Sequence, residues 1–416
     1  MNARTSTDVL VLGAGMVGTC TALQLARRGH AVALVDRRAP GRETSYGNAG
    51  IIQREAVEPY AFPREWQAVF DVAFKRGIDV NYHLSALPEV LPRLARYWHA
   101  SAPDRYAPIA QAYSRLIAHC LTEHEALMAE SGASDLVRKE GYRFVFRTPA
   151  AMEEAATRAA RLAADYGVRH ALEDGDALSR AEPGLRRRMA GALHWLDPWS
   201  VSDPGALVAR YAERFQALGG QLVEGDAATL QATGSGWQVR TAAGPLAARH
   251  AVVALGPWAD ALITPLGYRL PLFVKRGYHR HYRGGPGLRL PMLDAERGLV
   301  LAPMAQGVRL TTGAEFARIG APATPVQLTK AEAAAREMLD LPDPVEAEPW
   351  IGNRPCTADM KPVIGPAPNH PGLWFNFGHA HQGFTLGPAS GRLMADLIEG
   401  ATPFVDPSPY LASRFL

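Results

Sequence analysis

The sequence predicts an α/β protein in which a parallel-sheet domain is assembled from separate stretches of chain and a mixed-sheet, α+β domain is inserted between them. Three observations carry that expectation. Residues 8–36 read as strand, glycine turn, helix and strand; a second glycine-rich turn joins a strand to a helix near the C-terminus; and the residues between alternate strands and helices with no internal repeat and no low-complexity linker. The 416 residues are 47% hydrophobic, the composition of a globular protein, and leave room for about two to three domains. With 44 Lys plus Arg against 41 Asp plus Glu, and both signs interspersed, no nucleic-acid surface is indicated, and Arg186-Arg187-Arg188 reads as a solvated loop or helix end. Cys20, Cys120 and Cys356 form no CxxC, so neither a disulfide framework nor a zinc ribbon is expected and a reducing compartment fits best. The uncharged run from Val9 to Ala26 is too rich in glycine and polar residues for a signal peptide or a span, so the expected location is cytoplasmic, with peripheral contact to the membrane face left open.

The first strand, Val9-Leu10-Val11-Leu12, runs into Gly13-Ala14-Gly15-Met16-Val17-Gly18, and a helix through Leu25 stops at Gly29 before a second strand, Ala31 to Val35, ends at Asp36. This is a complete βαβ unit carrying G-x-G-x-x-G. Gly13 permits the tight turn, Gly15 lets backbone approach a pyrophosphate, and Gly18 lets helix and strand pack closely. The pyrophosphate then sits on the N–H groups and positive end of the helix, while Asp36, about 20 residues further on, accepts from an adenosine ribose. The first domain is therefore Rossmann-like and binds a dinucleotide. An acid at position 36 rejects a ribose 2′-phosphate, which favours FAD or NAD over NADP; spacing does not decide between those two.

From Trp66 to Glu130 the aromatic, Leu and Ala positions read as helical. Asp203 and Pro204 are an N-cap and first-turn signal for a helix ending at Gly219-Gly220, followed by a strand from Gln221 to Glu224. Trp237 to Thr241 and His250 to Leu255 read as strands, the second leading into Gly256-Pro257-Trp258. Thr329 and Glu332 offer a capping box for a helix through about Leu339. Leu373 to Phe377 is a strand, Gly378 to Gly383 a turn, and a helix runs from about Leu386 to a stop at Gly400. Domain boundaries follow: 1–58, 200–265 and 345–416 for the cofactor domain, 59–199 and 266–344 for the substrate domain.

The pattern resembles the D-amino-acid oxidase superfamily of FAD-dependent oxidoreductases, and most closely the bacterial D-amino-acid dehydrogenases, over nearly the whole length and most weakly at about residues 55–190. Besides the fingerprint, the resemblance rests on Thr44-Ser45-Tyr46-Gly47-Asn48-Ala49-Gly50, Ala254-Leu255-Gly256-Pro257-Trp258-Ala259, Lys275-Arg276-Gly277-Tyr278, and Gly352-Asn353-Arg354-Pro355-Cys356-Thr357-Ala358-Asp359 with Pro362 to Gly365, Gly378-His379 and Gly383. It implies noncovalent FAD, held also by Arg37, Ile51, Ala227, Gly256, Trp258, Gly378, His379, Gly383, Phe384 and Thr385. Cys356 does not match the flavin-attachment cysteine of sarcosine oxidases.

The resemblance further implies oxidation of an amino acid, of D configuration, by hydride transfer from Cα to flavin N5, giving an imino acid and then a 2-oxo acid. A guanidinium is the natural carboxylate clamp, because two parallel N–H···O bonds fix orientation as well as position. Arg354 takes that role by resemblance; the alternative is a structural ion pair with Asp359. Tyr278 either donates to the same carboxylate or is a sheet aromatic, and His379 either faces flavin and substrate or packs on a strand. The helix after Gly383 aims its positive end at the flavin C2 carbonyl. Trp195 to Ser202 and Ile51 to Trp66 are expected to shape the pocket, with Trp199 and Tyr60 favouring a ring or apolar substrate group. His279/His281 and His379/His381 are H-x-H pairs, but without a third ligand at a recognisable spacing no metal is expected. The position near Thr311, where sarcosine oxidases carry a lysine that assists oxygen, is not lysine, which favours a quinone or other carrier over oxygen as electron acceptor. Two rivals stay open: an oxidase of a secondary amine, glycine or sarcosine-like compound, and a non-catalytic flavin-binding subunit. An NAD-dependent dehydrogenase is disfavoured by the segment at 43–50.

Overall fold

The computed structural model describes residues 6–65, 70, 72, 74, 77–78, 80–284 and 287–416. Its first sheet is centred on Ser6–Leu12, which pairs in parallel with Val32–Asp36 on one side and Gly244–Val253 on the other. Gln221–Thr233 joins the Val32–Asp36 edge in parallel, Leu373–Phe377 joins Gly244–Val253 in parallel, and Val363–Pro366 closes the far edge antiparallel. The Val9 to Leu12 run is apolar at every position because both faces are covered. Val9 and Val11 face helices Met16–Arg27, Pro204–Ala217 and Gly383–Glu399, whereas Leu10 and Leu12 face Trp237, Leu246, Leu262 and Phe375.

That second cover is a three-stranded meander, and it differs from expectation. The strand starting at Gln221 does not stop at Glu224 but continues to Thr233, with a register shift between Asp226 and Gln231, and then pairs with Gly236–Thr241. The shift lets one strand serve the parallel sheet first and the meander afterwards.

The second sheet is built on Phe273–Tyr282, which pairs antiparallel with Gly307–Thr311 and Trp350–Cys356, and continues through Leu299–Met304, Met292–Asp294, Tyr142–Phe146, Gly191–Trp195 and His170–Asp174. Trp350–Cys356, assigned by sequence to the cofactor domain, thus adds to the other sheet and runs from one to the other. The start of the helical stretch expected from Trp66 lies, at 66–69, outside the described residues. Strand Val80–Tyr82 interrupts the rest before helices Leu87–Ala100, Pro103–Ile117 and Cys120–Ser131.

Asp203 caps as expected, its Oδ1 accepting from the Ala206 N–H at 3.0 Å ahead of Pro204. The Thr329/Glu332 capping box does not form. The helix is Val326–Arg336, entered from Pro325, so Thr329 lies inside its first turns with its hydroxyl on the Pro325 carbonyl, and Glu332 accepts instead from Arg280 and Tyr282. The C-terminal helix starts at Gly383, one turn before the expected Leu386. Among the described residues no helix is long and apolar enough to cross a membrane.

Candidate active site

A cavity of about 1150 Å³ runs from the first glycine turn to the second, between the two sheets. At its nucleotide end Gly13 has φ 105° and a Cβ there would fall 2.6 Å from the Ala254 carbonyl oxygen, so only glycine fits. A Cβ on Gly15 would meet only Ser45 Oγ, at 3.4 Å, leaving the backbone open to the cavity. Gly18 does not line the cavity; its Cβ would stand 1.8 Å from the Gly13 carbonyl oxygen, which makes it the helix-to-turn packing glycine. Asp36 lines the cavity and shapes it: Oδ2 accepts from the Ala14 N–H at 2.7 Å and Oδ1 from the Arg38 N–H at 3.0 Å.

The 44–51 segment folds over this end. Ser45 Oγ accepts from the Met16 N–H at 2.9 Å, capping the first helix from far along the chain, and the Thr44 hydroxyl donates to the Asn353 carbonyl at 2.9 Å. Asn48 Oδ1 accepts from the Gly50 N–H at 2.8 Å, while Gly50 (φ 68°) faces Val201 instead of the cavity. Arg309, buried and without an acidic partner among the described residues, donates Nη1 to the Tyr46 carbonyl at 2.9 Å and also to that of Asn48. It pins the loop, and sequence reading missed it. Thr44, Ser45, Asn48, Ala49, Ile51, Ala227, Gly256 and Trp258 line the cavity, as does Arg37, whose guanidinium lies 4.9 Å from the Trp258 ring centre.

At the other end Arg354 enters from Trp350–Cys356, its guanidinium lying over Gly277, where a Cβ would come within 2.5 Å of Nη2. Nη1 donates to the Gly313 carbonyl at 3.0 Å and Nη2 to that of Thr312 at 3.3 Å. The alternative pairing with Asp359 is not made: Asp359 is held by Arg414 at 2.9 Å and Lys361 at 3.5 Å. Arg354 is thus oriented by two neutral carbonyls and faces the cavity with no carboxylate partner among the described residues; burial lowers its pKa.

Tyr278 is placed differently from the carboxylate-donor expectation. Its side chain borders the cavity but the hydroxyl donates to Glu315 at 2.7 Å and accepts from the Thr324 N–H at 2.8 Å, and Arg276 completes that buried cluster. His379 and His381 both line the cavity, and His379 Nε2 and His381 Nδ1 have no hydrogen-bond partner among the described residues. Burial holds His379 neutral, its pKa pushed down to about 3, and pushes that of His381 well down too. Gly383 and Phe384 line the cavity where the C-terminal helix begins. Gly378 (φ 80°) and Thr385 stand behind it, Thr385 Oγ1 accepting from the Gln53 N–H at 3.2 Å. Trp199 is not in the pocket. It lies in a strand pairing Ile51–Ile52, with the Lys139 ammonium over its ring, so Trp195 and Trp199–Val201 belong to strands, and none of residues 195–202 lines the cavity. Tyr60 does line it, against His381 at 4.7 Å between ring centres.

The H-x-H pair His279/His281 has a third candidate ligand that spacing did not reveal, Glu346, with all three donor atoms within 4.8 Å. The Arg309 Nε–H, however, donates to His281 Nε2 at 2.9 Å and His281 Nδ1–H donates to Glu346, so a guanidinium and a hydrogen bond use the donor atoms a cation needs.

The residues fit FAD. One continuous cavity links a carboxylate and two glycines at one end to neutral imidazole nitrogens at the other, and those buried nitrogens need a partner that none of the described residues supplies. The comparisons agree. The family model described as FAD dependent oxidoreductase, DAO, matches residues 8–397. The chain is 31% identical to a D-amino acid dehydrogenase of Chromohalobacter salexigens, over 98% of this chain and 99% of that one, and 31% identical to a D-amino-acid oxidase of Bradyrhizobium diazoefficiens with the same coverage. The crystal structure of glycine oxidase from Geobacillus kaustophilus superposes with a TM-score of 0.76, at 23% identity, over 99% of this chain and all of that one. With the fingerprint turn, the cavity and the matched span in agreement, the chain belongs to the DAO family of FAD-dependent oxidoreductases.

Proposed function

We propose that the protein oxidises the Cα–N bond of an amino acid, of D configuration, to the imino acid, which water converts to the 2-oxo acid and ammonia. The observation that carries this reading is Arg354, a half-buried fork oriented by Thr312 and Gly313 and presented to the cavity with no acid to neutralise it among the described residues. FAD, when bound, supplies the hydride acceptor. Arg354 grips the carboxylate in two parallel hydrogen bonds and so fixes where Cα stands. His379 and His381, held neutral by burial, add no positive charge and present unpartnered nitrogens to the amine. The apolar wall of Phe62, Leu94 and Tyr97 excludes water from the reacting bond. The names of the dehydrogenase relatives support the D configuration and a carrier as electron acceptor.

We assign the acceptor to a quinone reached through a peripheral membrane contact. Leu84, Leu91 and Trp98, exposed at seven-residue intervals beside cavity-lining Leu87 and Leu94 and flanked by Arg64 and Arg93, support that assignment. The D-amino-acid oxidase relative supports oxygen as the alternative.

Anaerobic titration of the purified protein with D- and L-amino acids, glycine and sarcosine tests the reading. Bleaching of the flavin by D-amino acids is expected, followed by reoxidation with a quinone and not with air. Arg354→Ala should lower kcat/KM by the equivalent of about 2–5 kcal/mol, the cost of truncating a buried charge-assisted pair. Unchanged efficiency in that variant removes Arg354 from the site.

A further inference from the structure

Lys275 stands directly opposite Arg354 in the antiparallel pair of Phe273–Tyr282 with Trp350–Cys356. Opposed residues of such a pair project to the same face, and both line the cavity. Two like charges set opposite each other weaken a sheet, so the pair is a cost to folding that a ligand has to offset. Lys275 is 7% exposed and, among the described residues, makes no ion pair; its ammonium lies 4.7 Å from the centre of the Tyr97 ring and 5.9 Å from that of Phe273. Ring faces hold a cation in place without neutralising it.

The nearby acids are committed elsewhere. Asp359 is paired to Arg414 and Lys361, and Glu315 to Arg276. The cavity carboxylates Asp36, Glu43 and Asp226 belong to the nucleotide end, on the Ala14 N–H, on Arg37 and Arg38, and on the Ala228 N–H. One α-carboxylate on Arg354 therefore leaves one buried cation unpaired, which is an unfavourable state in a dry site.

We propose that Lys275 is a second anion-binding group and that the amino acid the enzyme prefers carries a second carboxylate in its side chain. The inference rests on the reading of Arg354 as the α-carboxylate clamp. A monocarboxylic substrate leaves Lys275 desolvated and unpaired, whereas a dicarboxylic one completes two ion pairs in one cavity. Discrimination by a site that loses a partner for a buried polar group is steep.

The test compares D-glutamate with D-glutamine and D-aspartate with D-asparagine in the holoenzyme, by anaerobic flavin reduction and by kcat/KM. In the wild type at least one acid is expected to exceed its amide by about 100-fold or more in kcat/KM. In Lys275→Met that ratio should fall to within about threefold, and Lys275→Arg, which keeps the charge, should restore part of it. Purification of either variant as a yellow protein shows that it has folded; if Lys275→Met does not, Lys275→Gln takes its place. Acid and amide reduced equally well by the wild type overturns the proposal. So does a ratio that survives loss of the Lys275 charge, or a loss shared equally by acid and amide, which makes both cations grip one carboxylate. Failure of every amino acid to bleach the wild-type flavin overturns the underlying reading and the proposal together, whereas bleaching by D-alanine without acid preference overturns the proposal alone.

Discussion

Gly277 is the residue on which the position of Arg354 depends. A Cβ there would fall 2.5 Å from Nη2 and 2.6 Å from Nη1, both at the far end of a flexible side chain, so the fold accommodates Gly277→Ala while the guanidinium leaves its place. The expected result is a protein that keeps its flavin and its melting temperature but loses at least about tenfold in kcat/KM for its amino acid. An unaltered kcat/KM would show that Arg354 does not hold the substrate. Glu55 gives a second prediction, in pH. It is 5% exposed, and burial raises its pKa to about 7 against the hydrogen bond from Gln53. The folded state therefore holds a proton that the unfolded chain has released above about pH 4.3. Stability is lost as pH rises from that value to about 7, by on the order of 3 kcal/mol, and levels off beyond. Glu55→Gln should remove that loss, so its melting temperature relative to wild type rises between about pH 5 and pH 8. A difference flat with pH would mean that Glu55 is not buried as the acid.

The two glycine turns are positioned by the two helices they begin. Gly387 and Gly391 of the C-terminal helix face Met16–Arg27: a Cβ on Gly387 would lie 2.5 Å from Met16 Cγ, and one on Gly391 2.8–2.9 Å from the Cys20 carbonyl group and the Thr21 nitrogen. At Gly391 backbone meets backbone, so nothing flexible can yield. Gly391→Ala should cost about 1–3 kcal/mol by overpacking, read as a lower melting temperature, and should weaken flavin retention because both turns shift. A variant with wild-type stability and flavin content would show that the helices slide freely. The sequence made both turns legible but not their contact, because glycines at four-residue intervals read locally as helix weakeners and acquire meaning only across a partner. The same limit explains the Thr329/Glu332 error. A capping box is a local match, whereas the actual helix entry at Pro325 goes with burial of Gln327 and Leu328 two and three residues later. Asp203 was legible because its cap and Pro204 agree with the buried face that follows.

On the scale of the molecule, the nucleotide end was readable because the glycine turn, Asp36 and the loop over them all lie within 8–50, where spacing along the chain is close to spacing in space, although Ala254 and Trp258 join them from far along the chain. The substrate end was readable only as isolated motifs. Lys275, Arg354, the Thr312 and Gly313 carbonyls and His379 come from separate segments that two sheets bring together, and sequence order carries no register between Lys275 and Arg354. Held at the nucleotide end, FAD would touch segments from the N-terminal, middle and C-terminal parts of the chain, so its removal would be a whole-molecule perturbation. A ligand bound only by the folded state adds about 2.7 kcal/mol at 100 times its Kd, which for a large domain is worth several degrees in melting temperature. Titrating deflavinated protein with FAD should therefore raise the melting temperature with the logarithm of free FAD. Asp36→Ala, which removes both the acceptor of the Ala14 N–H and the carboxylate assigned by sequence to the ribose, should displace that curve to higher FAD concentration, whereas Arg354→Ala should leave its position unchanged, since Arg354 lies at the opposite end of the cavity. A curve moved equally by the two variants would mean that the two ends of the cavity are not the separate sites assigned to them.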